Sequence, residues 1–214
     1  MSESRQKLID QLVADNHSGT KLFNASRLWV FWSVIAWAVV TALMFVLAPF
    51  RSNALEQLSQ SPHFAIETLM GVAVSLLLGA LALRLAVPGL KNRFLLLITF
   101  SVAGLWLLSY IYGLNSPALE PSMHGKREHC TTEVLLLSLP SILLGFYLVS
   151  RGYVSHWLQV GIVVGFASAL IPAVLMQLAC MYEPMHVLKL HLAPTVLVGV
   201  VAGIVAALVK QIKK

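Results

Sequence analysis

The chain has 214 residues, 58% hydrophobic and 11% charged, with the apolar residues gathered into runs of roughly 20, which excludes a soluble core and predicts a polytopic helical membrane protein. The formal net charge of +6 would suggest nucleic acid in a soluble domain. Here the basic residues fall mainly between apolar runs, where they set orientation, so no nucleic-acid partner is expected.

Residues 1–26 are polar. Within them Leu8, Ile9, Leu12 and Val13 recur at helical spacing and form a short apolar stripe flanked by Arg5, Lys7, Asp10 and Asp15. Isolated helices below roughly 12–15 residues are marginal in water, so this stripe needs either the membrane surface or a groove on a protein partner. The stretch Asn16-His-Ser-Gly-Thr20 breaks the pattern and reads as a flexible joint. A polar segment ahead of the first apolar run, with no small-residue cleavage site after it, argues against a signal peptide, and the first run is expected to remain as a span.

Six spans follow: Leu28–Phe50, Ile66–Val87, Phe94–Leu114, Val134–Val149, Trp157–Cys180 and Leu188–Val209. Each suits a hydrocarbon layer of roughly 30 Å, the fourth only by borrowing flanking residues. Trp29, Trp32, Trp157, Tyr110, Tyr112, Tyr147, Tyr153 and Tyr182 lie near predicted ends and are expected in the interfacial belts. Pro140, Pro172 and Pro194 fall inside spans four, five and six, where each removes a backbone hydrogen bond and is expected to kink its helix. Gly161-Ile-Val-Val-Gly165 and Gly199-Val-Val-Ala-Gly203 have the small-xxx-small spacing of close helix approach, expected to serve packing within one bundle. The expected fold is therefore all-α: a segment at 1–26 followed by a six-helix transmembrane domain at 27–214.

Counting Lys and Arg sets the orientation. With the N-terminus inside, 11 basic residues fall on inner segments and 4 (Arg51, Lys126, Arg127, Lys189) on outer ones, which puts both termini in the cytoplasm. Cys130 then lies at the outer start of the fourth span and Cys180 at the outer end of the fifth. The short loop Ser150–His156 makes these spans antiparallel neighbours, so the two thiols sit at similar depth.

Enzyme signatures are missing: there is no Cys-x-x-Cys, no His-Glu-x-x-His, no Gly-x-Ser-x-Gly and no Walker phosphate loop. Arg84 is the one charge expected within a span, near an end from which it can snorkel, so no proton or ion relay stands out. The outward polar groups form a cluster of soft and borderline ligands, Cys130 and Cys180 with His124, His129, His186, His191 and Glu183 in loops or at helix ends nearby, of which the cysteines, His124, His129 and His186 are the candidate metal set. Thiolate and imidazole suit zinc and other soft divalent ions, and two thiols in an oxidising compartment can instead form a reversible disulfide. No pair has zinc-finger spacing. A structural disulfide, a reversible thiol or metal switch, and two inert thiols all remain open. His63 and His156 read as interface residues and His17 as a loop residue.

The second half of the chain carries His129-Cys-Thr-Thr-Glu-Val-Leu-Leu-Leu-Ser-Leu-Pro140, Leu148-Val-Ser-Arg-Gly152, a Gly-rich span ending Gln177-Leu-Ala-Cys180, and a last apolar span closed by basic residues. The first half adds Leu8-Ile-Asp-Gln-Leu12, Pro62-His-Phe64 with Glu67, and Val87-Pro-Gly89. Together these resemble the NrsF family of six-span negative regulators of extracytoplasmic-function sigma factors. The resemblance implies a multi-pass protein of the bacterial inner membrane. Its cytoplasmic N-terminal segment would hold the sigma factor, and two periplasmic cysteines, at the positions of Cys130 and Cys180, would govern release under metal or oxidative stress. The chain departs from the family pattern at Met181, where a proline is frequent, and at Lys189-Leu-His191, where span six usually opens with aromatic residues. A small six-span transporter or metal-handling permease is the alternative.

Overall fold

The computed structural model describes Gln6 and residues 23–47, 49–90, 92–115, 127 and 129–212. Among these the chain is all helical, and six helices are long and apolar enough to cross a membrane. The stripe Leu8, Ile9, Leu12 and Val13 lies outside the described residues.

Local chemistry explains where the helices start. α1 (Ala25–Leu47) opens where Asn24 Oδ1 accepts the amide of Arg27 at 3.0 Å. A short helix α2 (Ala54–Gln60), not expected from the hydropathy, leads into α3 (Pro62–Leu85). There Ser61 Oγ accepts the Phe64 amide at 3.4 Å and Pro62 occupies the first turn, where its missing N–H costs nothing. α4 (Arg93–Asn115) is capped by Asn92 Oδ1, which accepts from Phe94 and Leu95. α5 (Cys130–Val149) does borrow flanking residues, reaching 20, about 30 Å at 1.5 Å per residue. α6 (Trp157–Ala179) follows. The sixth span, Pro184–Gln211, is a composite of α7 (Pro184–His186), a π-helical turn Val187–Leu192 and α8 (Ala193–Ile212).

α6 is the hub. It packs against α8, α3, α5 and α1, and 72% of its apolar window is buried, against 17% for the outlying α4. The two glycine pairs face each other across the α6–α8 contact. A Cβ at Gly161 would lie 2.9 Å from Gly203 Cα, and one at Gly165 would lie 2.9 Å from Gly199 Cα and 2.7 Å from Ala202 Cβ. The two backbones therefore approach too closely for any side chain there, and both motifs are spent within the chain.

The prolines leave carbonyls that neighbouring helices serve. Pro172 has no N–H for Ser168 O; the Ser141 hydroxyl, which donates to Ser138 O at 2.9 Å, lies 3.4 Å from that oxygen, and Ser75 Oγ donates to the adjacent Ala167 O at 3.0 Å. Pro194 likewise has no N–H for Leu190 O, which accepts from Thr131 Oγ1 at 3.4 Å. The wide π turn stands directly before Pro194, where the α-helical bonding is already broken.

Three expectations change. Glu67, the second residue of the expected span Ile66–Val87, lies a full turn further inside α3 and is fully buried, because the Ser61 cap and Pro62 start the helix four residues earlier than hydropathy alone predicts. A charge-bearing residue besides Arg84 is thus inside a span. Trp32, Tyr110 and Tyr182 are 3%, 0% and 5% exposed, so they belong to the core rather than the interfacial belt. Their polar atoms find internal partners there: Trp32 Nε1 donates to Ser141 O at 3.1 Å, beneath the space left by Gly79 and Gly145.

Candidate functional site

Two chain segments meet at one end of the bundle. Cys130 is the first residue of α5, and Cys180 caps the C-terminus of α6 in extended conformation, its amide bonded to Met176 O at 2.8 Å. Beyond Cys180 the chain turns through Met181-Tyr-Glu183 into the sixth span and brings His186 and His191 back to the same point. The ligand atoms of Cys130, Cys180, His186 and His191 all lie within 4.8 Å of one another, and all four residues are buried.

Both cysteines are free thiols, with Sγ–Sγ at 3.0 Å. His186 Nε2 lies 3.0 Å from Cys180 Sγ and 3.7 Å from Cys130 Sγ. The Cys130 thiol also reaches Arg127 O at 3.4 Å. Cys180 is held below its ordinary thiol value, first by the hydrogen bond from Cys130 and then by His186, against the burial that opposes ionisation. Of the two sulfurs, Cys180 has the closer imidazole.

His191 is the residue the hydropathy pattern does not single out. In an α-helix residues five apart point about 140° from each other, so His186 and His191 would diverge. The i→i+5 bonding of the π turn stacks them instead, and the rings sit edge to face with centroids 5.2 Å apart. His191 is 0% exposed, and neither of its ring nitrogens has a hydrogen-bond partner among the described residues. Leaving a buried polar group unpaired costs about 1–3 kcal/mol. The signal in the sequence was Pro194, which disrupts α-helical bonding just after this turn.

Of the expected ligands, Cys130, Cys180 and His186 converge. His129 does not join them: it stands exposed at the N-cap of α5, one residue before the helix turns Cys130 inward. His124 lies outside the described residues. Glu183 is half-buried and outside the cluster.

The surroundings fasten the cluster to the bundle. Arg127 makes a two-pronged ion pair with Glu133, Nη2–Oε1 at 2.6 Å and Nε–Oε2 at 3.1 Å, and its Nη2 donates to Leu47 O, the last residue of α1, at 3.4 Å. The hydrogen bonds to Glu133 raise the guanidinium above its ordinary value. On the other side, Tyr182 donates to Glu67 Oε2, whose Oε1 lies 3.2 Å from His63 Nε2. Burial, then the Glu67 carboxylate, push the Tyr182 phenol up, so it stays protonated and remains a donor. Gln177 bonds Tyr110 and so ties α6 to α4, and Thr68 of α3, whose hydroxyl donates to Phe64 O at 2.8 Å, lies 3.4 Å from Gln177 Oε1. Arg51 joins through its amide, bonded to Leu178 O at 3.1 Å, and its guanidinium over Phe64, which packs edge-on against Tyr182.

Chemically, the cluster offers two thiols and two imidazoles. Tetrahedral coordination of zinc by such a set separates ligand atoms by about 3.3–3.8 Å, from metal–ligand distances of about 2.3 Å to sulfur and 2.0–2.1 Å to nitrogen. The sulfurs alone would need to close by about 1 Å to form a disulfide. The four residues could hold a metal ion, and the two cysteines are close enough for thiol chemistry with each other.

An all-helical chain with six apolar spans and a buried thiol–imidazole cluster at one end defines the class: a polytopic helical protein whose reactive groups are sulfur and imidazole. Within that class the chain belongs to the NrsF family, described as negative regulator of sigma F, whose sequence pattern matches residues 12–210, nearly the whole chain. No curated protein and no solved structure matches it.

Proposed function

We propose that this protein is a membrane-bound anti-sigma factor that holds an extracytoplasmic-function sigma factor through residues 1–26 and releases it when the Cys130–Cys180 site changes state under metal or oxidative stress. Family membership supports negative regulation of a sigma factor. The observation that carries the sensing part is the convergence of both cysteines, fully buried, on two histidines. The basic-residue count supports a cytoplasmic N-terminus and an external cluster in the inner membrane.

A change at the cluster acts by population shift, since a bond or ion can bias the bundle only by its differential affinity for two packings. A physical link to the N-terminal side exists. The carbonyl of Arg127 faces Cys130, the guanidinium of Arg127 holds the end of α1 at Leu47 O, and Trp32 of α1 bonds Ser141 of α5. α1 in turn leads directly to the residues proposed to hold the partner. Deleting the gene and profiling transcripts tests the reading: one sigma factor's target genes should rise without stress and fall again on complementation. An unchanged profile overturns it.

A further inference from the structure

From the geometry of the cluster we infer that Cys130, Cys180, His186 and His191 form a four-coordinate site for one soft divalent cation of the zinc class, with His191 delivered as fourth ligand by the π turn. This rests on the reading of Cys130 and Cys180 as the sensing site and deepens it, since it names the ligand set and the ion.

Four observations carry it. The ligand atoms come from the start of α5, the end of α6 and the two turns that open the sixth span, yet gather within 4.8 Å. His191 is completely buried with both nitrogens unpartnered, aimed among the other three ligand atoms, and coordination supplies the partner it lacks. The donor set is right for burial: two thiolates and two neutral imidazoles around a divalent ion sum to zero charge, whereas three or four thiolates would leave a buried negative charge. Finally, the backbone adopts a π turn where an α-helix would turn His191 away. In binding, each thiol gives its proton to solvent, the ion sheds water, and two metal–sulfur and two metal–nitrogen bonds form.

The test uses the full chain in nanodiscs, reduced, stripped of metal and titrated separately with Zn2+ and Cd2+. Bound ion is read by mass spectrometry and by the thiolate-to-cadmium charge-transfer band. One ion per chain is expected, with affinity reduced roughly 10-fold or more in Cys130→Ser, Cys180→Ser, His186→Ala and His191→Ala and unchanged in His129→Ala. Should His191→Ala fail to give a folded protein, His191→Cys keeps the question answerable: it is expected to bind Cd2+ and to intensify the charge-transfer band through a third thiolate. Three results would overturn the site: no ion bound by the reduced wild-type chain, His191→Ala binding as tightly as wild type, or His191→Cys binding Cd2+ with an unchanged band. If no ion binds but the cysteine variants still alter sigma-dependent transcription, the coordination fails and the sensing reading stands. If the ion binds through all four ligands while both cysteine variants regulate as wild type, the site stands as a structural one and the sensing reading fails.

Discussion

The Tyr182 hydroxyl, two residues past Cys180, donates to the carboxylate of Glu67, a fully buried group on α3. The turn that carries the cluster is thereby tied to the second span as well as to α6. Tyr182→Phe removes the donor and leaves a buried acceptor short of a partner, so the protein should lose about 1–3 kcal/mol of stability. Tyr182→Phe combined with Glu67→Met removes both polar groups and should recover part of that loss. Thermal melts in detergent check both, and a double variant no more stable than the single would contradict the pairing.

The α6–α8 contact makes a second prediction. A Cβ at Gly165 meets Ala202 Cβ at 2.7 Å, whereas one at Gly104 meets nothing within 4 Å. Gly165→Val should destabilise by about 1–3 kcal/mol through overpacking. Gly104→Ala should be neutral or slightly stabilising, since alanine is the better helix former by about 1 kcal/mol. The same melts distinguish them.

Orientation is tested by reporters active only outside the cytoplasm. Fused after Asn53, Pro121 or Glu183 they should signal, and after Lys91, Ser155 or Lys214 they should stay silent, because the basic residues divide 11 to 4 between the two sides. Activity at Lys214 would contradict six spans with both termini inside.

What was legible in the sequence follows from which forces act locally. Hydropathy counts the spans because each must cover the same thickness of hydrocarbon with backbone bonds satisfied inside the helix. The antiparallel pairing of α5 and α6 follows from the short loop between them and brings Cys130 and Cys180 together as expected. The burial of Glu67 was missed because the start of α3 is decided by the Ser61 hydroxyl and Pro62 rather than by apolar content. Tyr182 and Trp32 look interfacial by position, but long-range partners, Glu67 and the Ser141 carbonyl, draw them inside. His191 escaped the expected ligand set because helical spacing assumes 3.6 residues per turn, and the π turn before Pro194 breaks that assumption. His129 was overvalued by its place next to Cys130: adjacent helical residues point about 100° apart, and only Cys130 turns inward.

The apolar stripe gives a fourth prediction. Leu8→Asp with Leu12→Asp places two charges on a surface proposed to be buried in a groove of the sigma factor, where each leucine contributes about 1.5–3 kcal/mol when fully buried. The double variant should switch on sigma-dependent transcription without stress while still inserting into the membrane. Unchanged repression would move the binding surface to the inner loops near Lys91, Arg93 or Arg151.

The most direct measurement of regulated release uses the full chain in nanodiscs with its sigma factor bound. The complex is exposed to Cd2+ or a thiol oxidant, and the fraction of sigma factor set free is followed by size-exclusion chromatography. Wild-type protein should release it, while Cys130→Ser and Cys180→Ser should each give the same altered response, either retaining the sigma factor or failing to hold it before treatment. Release from both cysteine variants that matches wild type in extent and dose would contradict a sensor built on Cys130 and Cys180.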